Sequence, residues 1–223
     1  MRCIVTAGPT FEPLDAVRRL TNMSTGRLGS ELGNFLASHG HEVTLLAGQQ
    51  ATWRGERRAQ HVETFTTTAD LQDRLRGLSS QAVDAVFHVA AVSDFSFGKV
   101  WRRSPEGELV EVRSRKFSTR EGALVAELMP TPKVISALRD WFPRARLMGW
   151  KYEVEGDRAS AVRSASDQLR DCRTDGCVAN GPGYGPGFGL VNRAGQCEHL
   201  EGDEALFAAL ERWVSGDWSE LKT

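Results

Sequence analysis

The feature that most constrains this chain is an alternation, kept up over nearly its whole length, of short β-branched apolar runs with stretches of helical period. Residues 2–7 form a first strand-like run, and 24–38 follow as a helix on which Leu28, Leu32, Phe35 and Leu36 share one face. Gly29 and Gly33 sit one turn apart on that helix, which lets it lie close on a sheet, and Gly40 ends it. Glu42–Leu46 and Val62–Thr66 read as the next strands, 69–78 as a helix, and Ala82–Ala90 as an apolar run suited to a strand covered on both faces.

Residues 92–122 break this rhythm. They are polar and charged, lack a helical period and are long for a connection, so they read as an excursion with one hairpin near Glu108–Val112. The rhythm resumes with a strand at Ala123–Met129, then a helix at Pro132–Trp141 with its proline near the first turn. A strand at Arg146–Trp150, a helix over 158–171 and a strand over 175–179 follow. The loop Gly181–Gly189 leads through a hairpin-like pair to a helix at 203–214. Strands separated by helices predict an α/β, Rossmann-like, doubly wound and mostly parallel sheet, with its ligand site where strand ends meet the following loops. Neither a repeat nor a linker divides the sequence, so 1–223 reads as a single domain.

Charge excludes some functions. A net charge of −1 supplies no field for nucleic acid or an anionic membrane, although a small phosphate ligand needs only a local site. Cys3, Cys172, Cys177 and Cys197 lack zinc-site spacing and read as reduced thiols of a cytoplasmic protein. The apolar run at the N-terminus is too short for a signal peptide, and no transmembrane-length stretch follows. Only five of the 28 basic residues are lysines, so arginine is the routine surface cation here.

The first strand-to-helix connection carries the strongest chemical signal. It runs from Gly8 to about Met23, against roughly 2–6 residues for an ordinary loop of this kind. Gly8-Pro9-Thr10 follows the strand, then Arg18, then Asn22-Met23-Ser24-Thr25-Gly26 at the helix start. Hydroxyls and free amides at a helix N-terminus favour a phosphate, while the plainer reading has Ser24 capping the helix and Gly26 packing. A nicotinamide oxidoreductase is disfavoured: there is no G-x-G-x-x-G, and the second strand ends in Leu46-Ala47-Gly48 rather than an acid. Neither Tyr152 nor Tyr184 has a lysine four residues later.

Val5-Thr6-Ala7-Gly8-Pro9-Thr10, Pro13-Leu14-Asp15, Val17-Arg18 and Asn22-Met23-Ser24-Thr25-Gly26-Arg27-Leu28-Gly29 together resemble the opening of the phosphopantothenoylcysteine synthetase family. Ala90-Ala91-Val92-Ser93-Asp94-Phe95, Lys116-Phe117-Ser118-Thr119, Thr131-Pro132-Lys133-Val134, Gly149-Trp150 and Val178-Ala179-Asn180 resemble its later blocks, in the same order. The spacing looks closest to the free-standing bacterial form, without a fused flavin decarboxylase.

The resemblance implies a phosphopantothenate–cysteine ligase of coenzyme A synthesis. It would join 4′-phosphopantothenate to L-cysteine through an acyl-nucleotide, with Mg²⁺ and CTP (ATP possible) as co-substrate, no flavin and no NAD, in a cytoplasmic homodimer. Catalytic roles fall to Asn22, Lys116 and Arg18. Asn22 would hold the acyl-nucleotide and the oxygen that becomes negative during amine attack, and Lys116 would close over the phosphates. Nucleotide contacts fall to Gly8, His88, Val89, Ala90, Asp94, Lys116, Pro132, Lys133, Val134 and Trp150, and phosphate or substrate contacts to Ser24, Thr25, Gly26 and Asn180; metal ligands are not assigned.

Read without the resemblance, Asn22 is equally a turn residue, Lys116 part of the charge run Arg113-Ser114-Arg115-Lys116, Pro132 a helix starter and Trp150 a core residue. The chain also departs from the family. Where relatives place two lysines, Ser166–Arg173 has none, and Arg163 or Arg170 is the replacement on offer. That departure makes a catalytically reduced homologue, binding a nucleotide or phosphopantetheine-like ligand as a sensor or partner subunit, the main alternative.

Overall fold

The computed structural model describes residues 1–118 and 122–216. The elements up to the excursion are β1 (Arg2–Ala7), β2 (Phe11–Pro13), β3 (Arg19–Thr21), α1 (Arg27–Ser38), β4 (Glu42–Gly48), β5 (His61–Phe65), α2 (Thr68–Leu78) and β6 (Ala85–His88). Then come β7 (Phe95–Arg103), β8 (Leu109–Glu111), β9 (Leu124–Pro130), α3 (Val134–Trp141), β10 (Arg146–Tyr152), α4 (Arg158–Asp171), β11 (Gly176–Asn180), β12 (Phe188–Asn192), β13 (Cys197–Leu200) and α5 (Asp203–Ser215).

One eight-stranded sheet runs in the order β13-β12-β11-β10-β6-β1-β4-β5. Every pair from β11 to β5 is parallel, and β12 and β13 add an antiparallel edge. Alternate residues of each strand point to opposite faces, so one strand feeds two cores. Cys3, Val5, Ala7, Phe87, Met148 and Val178 meet Leu32 and Leu36 of α1 and Leu206 and Leu210 of α5. Ile4, Leu46, Val86 and Leu147 turn the other way, onto Leu71 and Leu75 of α2 and Val134 and Leu138 of α3. On this second face α4 covers β11 and β12, with Ala161, Ala165 and Leu169 against Cys177, Ala179 and Val191. The doubly wound, mostly parallel α/β architecture is the one the alternating pattern predicts.

Sheet growth reverses at the centre. From β1 the chain passes through α1 to β4 on one side, and from β6 through α3 to β10 on the other, so a crevice opens at the C-terminal ends of β1 and β6. Among the described residues no helix is long and apolar enough to cross a membrane.

Several local expectations are corrected. The run at Ala82–Ala90 is strand only over Ala85–His88, because flanking chain leaves the sheet at both ends. Ala123–Met129 does not rejoin the main sheet: its strand, β9, pairs antiparallel with β7, and β8 pairs with the other edge of β7. The hairpin thus begins well before Glu108, at Phe95, and the excursion is a small sheet of its own. Pro132 precedes α3 instead of sitting in its first turn, since the helix starts at Val134 after Lys133 as N-cap. Helix α1 likewise starts at Arg27, not at 24, and the first connection folds into the antiparallel pair β2–β3.

Close packing of α1 rests on Gly29. A Cβ there would lie 2.7 Å from Ala7 Cβ and 2.9 Å from the Thr6 carbonyl oxygen, whereas one at Gly33 would meet only Leu45 and Val43, at 3.7 and 3.8 Å. The pair of glycines anticipated from spacing therefore has one member at the close approach. Gly29→Ala is expected to destabilise the fold by about 1–3 kcal/mol through overpacking. Gly33→Ala is expected to stabilise it by roughly 0.5–1 kcal/mol through helix propensity. Urea unfolding of the two variants checks both signs.

Candidate active site

Parallel pairing of β1 with β6 ends at Thr6↔His88, and hydroxyls take over from there. Thr6 Oγ1 accepts from the Ala90 N–H at 3.0 Å and pairs with His88 Nδ1 at 3.1 Å. Ala91 N–H donates to Gly8 O at 3.0 Å, and Thr10 N–H to Ala91 O at 3.2 Å. Thr10 Oγ1 then accepts from Ser93 N–H at 2.8 Å. The loops after the two central strands are thereby laced into one floor. Gly8 and Gly26 both take positive φ, at 81° and 77°, and a Cβ on either would strike Ala51 Cβ, at 2.8 and 2.9 Å. Both positions therefore require glycine.

The α1 start differs from the plainer reading of the sequence. Gly26 is the N-cap and no side chain caps the helix, so Ser24 is not its cap. Thr25 Oγ1 accepts from Arg27 N–H at 3.2 Å, and Thr25 O accepts from Trp53 N–H at 3.0 Å. Arg27 is taken up by Glu31 and Asp203.

Asn22 projects from the end of the β2–β3 pair onto the floor. Its amide Nδ2 donates to both Ala91 O and Val92 O, at 3.1 Å each, so both N–H groups are engaged. Arg18 spans two segments: Nε and Nη2 donate to Asp15 Oδ2 at 3.0 and 2.5 Å, and Nη2 also donates to Phe117 O at 2.7 Å. Asp15, which motif reading left without a role, is the hub. Its side chain has 0% exposure and also accepts from the N–H groups of Val17, Arg18 and Phe117. The Arg18 guanidinium, with these N–H donors, holds its carboxyl well below the usual carboxylate range. Lys116 lies beside this hub and is exposed, and its own N–H and carbonyl meet Ser114 Oγ. Thr119, the last residue of that motif, lies outside the described residues.

The other wall comes from β6, β10 and β11. By strand alternation His88 shares the face of Val86, turned to α2 and α3, and it is buried. Burial pushes its pKa down to about 4. Val89 and Trp150 instead pack on the α1 and α5 face, where Val178 also lies, and Asn180 follows Val178 on that face two residues on. Trp150 Nε1 and Asn180 Oδ1 are buried there without a partner. Buried polar atoms of this kind call for a partner, and these two put a donor and an acceptor on one wall of the crevice. Asp94, Pro132 and Lys133 are exposed, Val134 is buried, and Thr131 ties their segments together by donating from N–H to Asp94 O and from Oγ1 to Ser93 O.

The replacements offered for the absent lysines fare differently. Arg170 is bound to Asp167 and Asp171 near the C-terminus of α4, which runs back toward the opposite end of the sheet. Arg163 is exposed in the middle of the same helix. Arg170 is thus turned away from the crevice, while the charge of Arg163 reaches Asp157, the N-cap of α4. Sequence spacing could not reveal this, because the direction of a crossover helix shows only once its strands are paired.

Residues 1–204, which hold every part of this crevice, match the model of the DNA/pantothenate metabolism flavoprotein C-terminal domain. The chain belongs to this family. It is the family anticipated from the motifs. Over 217 residues the chain is 49% identical to the coenzyme A biosynthesis bifunctional protein CoaBC of Vibrio cholerae, covering 92% of this chain and 48% of that protein. Over 180 residues it is 31% identical to the protein of the same name from Thermococcus kodakarensis, covering 80% and 41%. The chain thus spans about half the length, or less, of these curated relatives. The solved structure of the DNA/pantothenate metabolism flavoprotein from Streptococcus pneumoniae superposes with a TM-score of 0.82 at 25% identity, covering 96% of this chain and 98% of that one.

The buried His88 gives the floor a pH signature. Its folded pKa of about 4 lies below the ordinary histidine value of about 6.5, so above that value both states are neutral and no penalty arises. As pH falls from about 6.5 to about 4 the unfolded chain takes up a proton the folded one refuses, which costs roughly 3 kcal/mol. His88→Gln is expected to flatten the stability curve in that window, measured by urea unfolding at several pH values.

Proposed function

We propose that this chain is a phosphopantothenate–cysteine ligase of coenzyme A biosynthesis, with 1–223 acting as one ligase domain in the cytoplasm. The observation that carries the reading is the floor on which the Asn22 amide grips the Ala91 and Val92 carbonyls beneath the start of α1. Family membership and the coenzyme A biosynthesis relatives support it.

In the first step a carboxylate oxygen of 4′-phosphopantothenate attacks the α-phosphorus of CTP (or ATP). The α–β phosphoanhydride bond breaks, and pyrophosphate leaves. In the second step the cysteine amine attacks the acyl carbon, the bond to the phosphoryl oxygen breaks, the nucleoside monophosphate leaves and the nitrogen gives up a proton to water. Negative charge gathers on phosphate oxygens in the first step and on the acyl oxygen in the second, so fixed donors carry the catalysis.

Asn22 exchanges one of its carbonyl partners for the acyl oxygen as that oxygen becomes negative. Lys116 supplies the cation over the triphosphate in the first step, and Arg18 ties the first loop to the segment that carries Lys116. Gly8 and the backbone of His88, Val89 and Ala90 border the nucleotide, with Asp94, Pro132, Lys133 and Val134 along its rim and Trp150 beside its base. Asn180 takes a polar group of the substrate, and Ser24, Thr25 and Gly26 receive a phosphate at the helix start.

No group of three or more His, Cys, Asp or Glu among the described residues is arranged to hold a metal. Mg²⁺ would be carried mainly by triphosphate oxygens and water, with the exposed Asp94 as the carboxylate on offer at the rim. Such an ion would supply neutralisation of phosphate charge.

The chain further acts as a homodimer. Val17, Leu20 and the fully exposed Met23 lie along β2–β3, which packs against β7, and Phe95, Leu128 and Met129 are exposed on β7 and β9. A band of exposed apolar side chains is a surface suited to a second copy. Light scattering after gel filtration is expected to give a dimer, and Met23→Glu with Leu128→Glu a monomer.

Pyrophosphate release with 4′-phosphopantothenate, Mg²⁺ and each nucleoside triphosphate tests the ligase. Release with one nucleotide is expected, with amide product only when cysteine is present. Lys116→Gln is expected to abolish release, and Asn22→Asp to accumulate the acyl-nucleotide. Ligand binding without release by any nucleotide would favour the catalytically reduced homologue, which the lysine-free end of α4 otherwise suggests.

A further inference from the structure

The Asp15 hub joins the β2–β3 turn to the segment that carries Lys116. Asp15 Oδ1 binds the N–H groups of Val17 and Arg18, at 2.9 and 2.8 Å, and so closes the turn between β2 and β3. Its Oδ2 binds the Arg18 guanidinium and, at 3.2 Å, the Phe117 N–H. Arg18 returns to the same residue from the other side through Phe117 O at 2.7 Å. One residue further along, Ala16 N–H donates to Arg115 O at 2.9 Å. Phe117 itself is 7% exposed, so its ring anchors the segment as its backbone is held.

The chain is therefore pinned at Arg115 and at Phe117, and the residue between them, Lys116, is the one left projecting. The pins come from the same short hairpin that ends at Asn22. A fully buried carboxylate paired to one guanidinium and to backbone N–H groups defines a single arrangement, because any other leaves a buried charge unpaired. The Lys116 segment is thus held through Asp15, while Asn22 is held separately, by the Ala91 and Val92 carbonyls.

We propose that Asp15 is a positioning residue for the first half-reaction only: it fixes the Lys116 segment over the triphosphate and leaves amide formation, which does not use Lys116, untouched. This rests on the ligase reading and on the role of Lys116 within it. Asp15 touches no reacting atom. Asparagine at this position keeps an acceptor for the backbone but loses the charge that orders Arg18, so the segment is released while the turn survives.

The test uses Asp15→Asn in the full chain, with Lys116→Gln beside it. Three quantities are compared with the unaltered protein: pyrophosphate release, amide formation from supplied acyl-nucleotide and cysteine, and trypsin cleavage after Arg115 and Lys116 without ligands. Release is expected to fall about tenfold or more in kcat while amide formation stays within about threefold, and cleavage is expected to speed up by about tenfold. Equal loss in both half-reactions would overturn the proposal, since a merely structural defect does that. Faster cleavage with unchanged release, while Lys116→Gln abolishes release, would overturn it and leave the ligase reading intact. Absence of release from the unaltered protein would overturn the ligase reading and the proposal with it, the cleavage rates still reporting whether the clamp exists. If Asp15→Asn does not fold, Phe117→Ala frees the same segment from its other side and carries the same expected split.

Discussion

Everything at the crevice depends on how the chain satisfies its backbone where β1 and β6 stop pairing. Buried N–H groups must find acceptors, and beyond His88 the parallel ladder offers none in regular register. Two threonine hydroxyls supply them, Thr6 to Ala90 and Thr10 to Ser93, and the Gly8 carbonyl takes Ala91. The outcome is a rigid floor whose carbonyls at Ala91 and Val92 point at Asn22. Without that lacing the loop after β6 has no fixed position, and the asparagine has nothing to grip.

Close approach is the second condition. Gly29 lets α1 lie on β1, and Gly8 and Gly26 admit Ala51 between the strand end and the helix start. The same contact that packs the core thereby brings the N-terminus of α1 to the crevice, with Thr25 held by the β4–β5 loop through Trp53. Packing and site construction are one problem here. A side chain on any of these glycines would move the helix start and the floor apart.

The excursion answers to the hairpin, not to the main sheet. Its strands β7, β8 and β9 pair among themselves, and the segment that follows β8 is held by Asp15, Ala16 and Arg18 from the opposite end of the domain's first loop. A charged run such as Arg113–Lys116 reads as solvated surface, although Arg113 is paired with Glu111 and Ser114 Oγ bonds the Lys116 backbone. What singles out Lys116 is where its neighbours are tied.

The sequence by itself determined the architecture and pointed to the crevice as the candidate site. Periodicity is a local property, so strands and helices were legible from residues a few positions apart, and their alternation admits little besides a doubly wound sheet. The glycines and hydroxyls after the first strand were legible for the same reason. Three kinds of fact belong to tertiary structure alone. Ala123–Met129 has the composition of a strand, but only pairing decides which sheet it joins. His88 closes β6 and Trp150 lies two residues before the end of β10, and the two-residue alternation sends one to the buried α2–α3 face and the other to the face that carries orphaned Asn180. Asp15 became a hub because a partner about a hundred residues away donates to it, at a separation of 102. Sequence spacing carries no information on such contacts, since they exist only after the chain has paid the entropy of closing the loop between them.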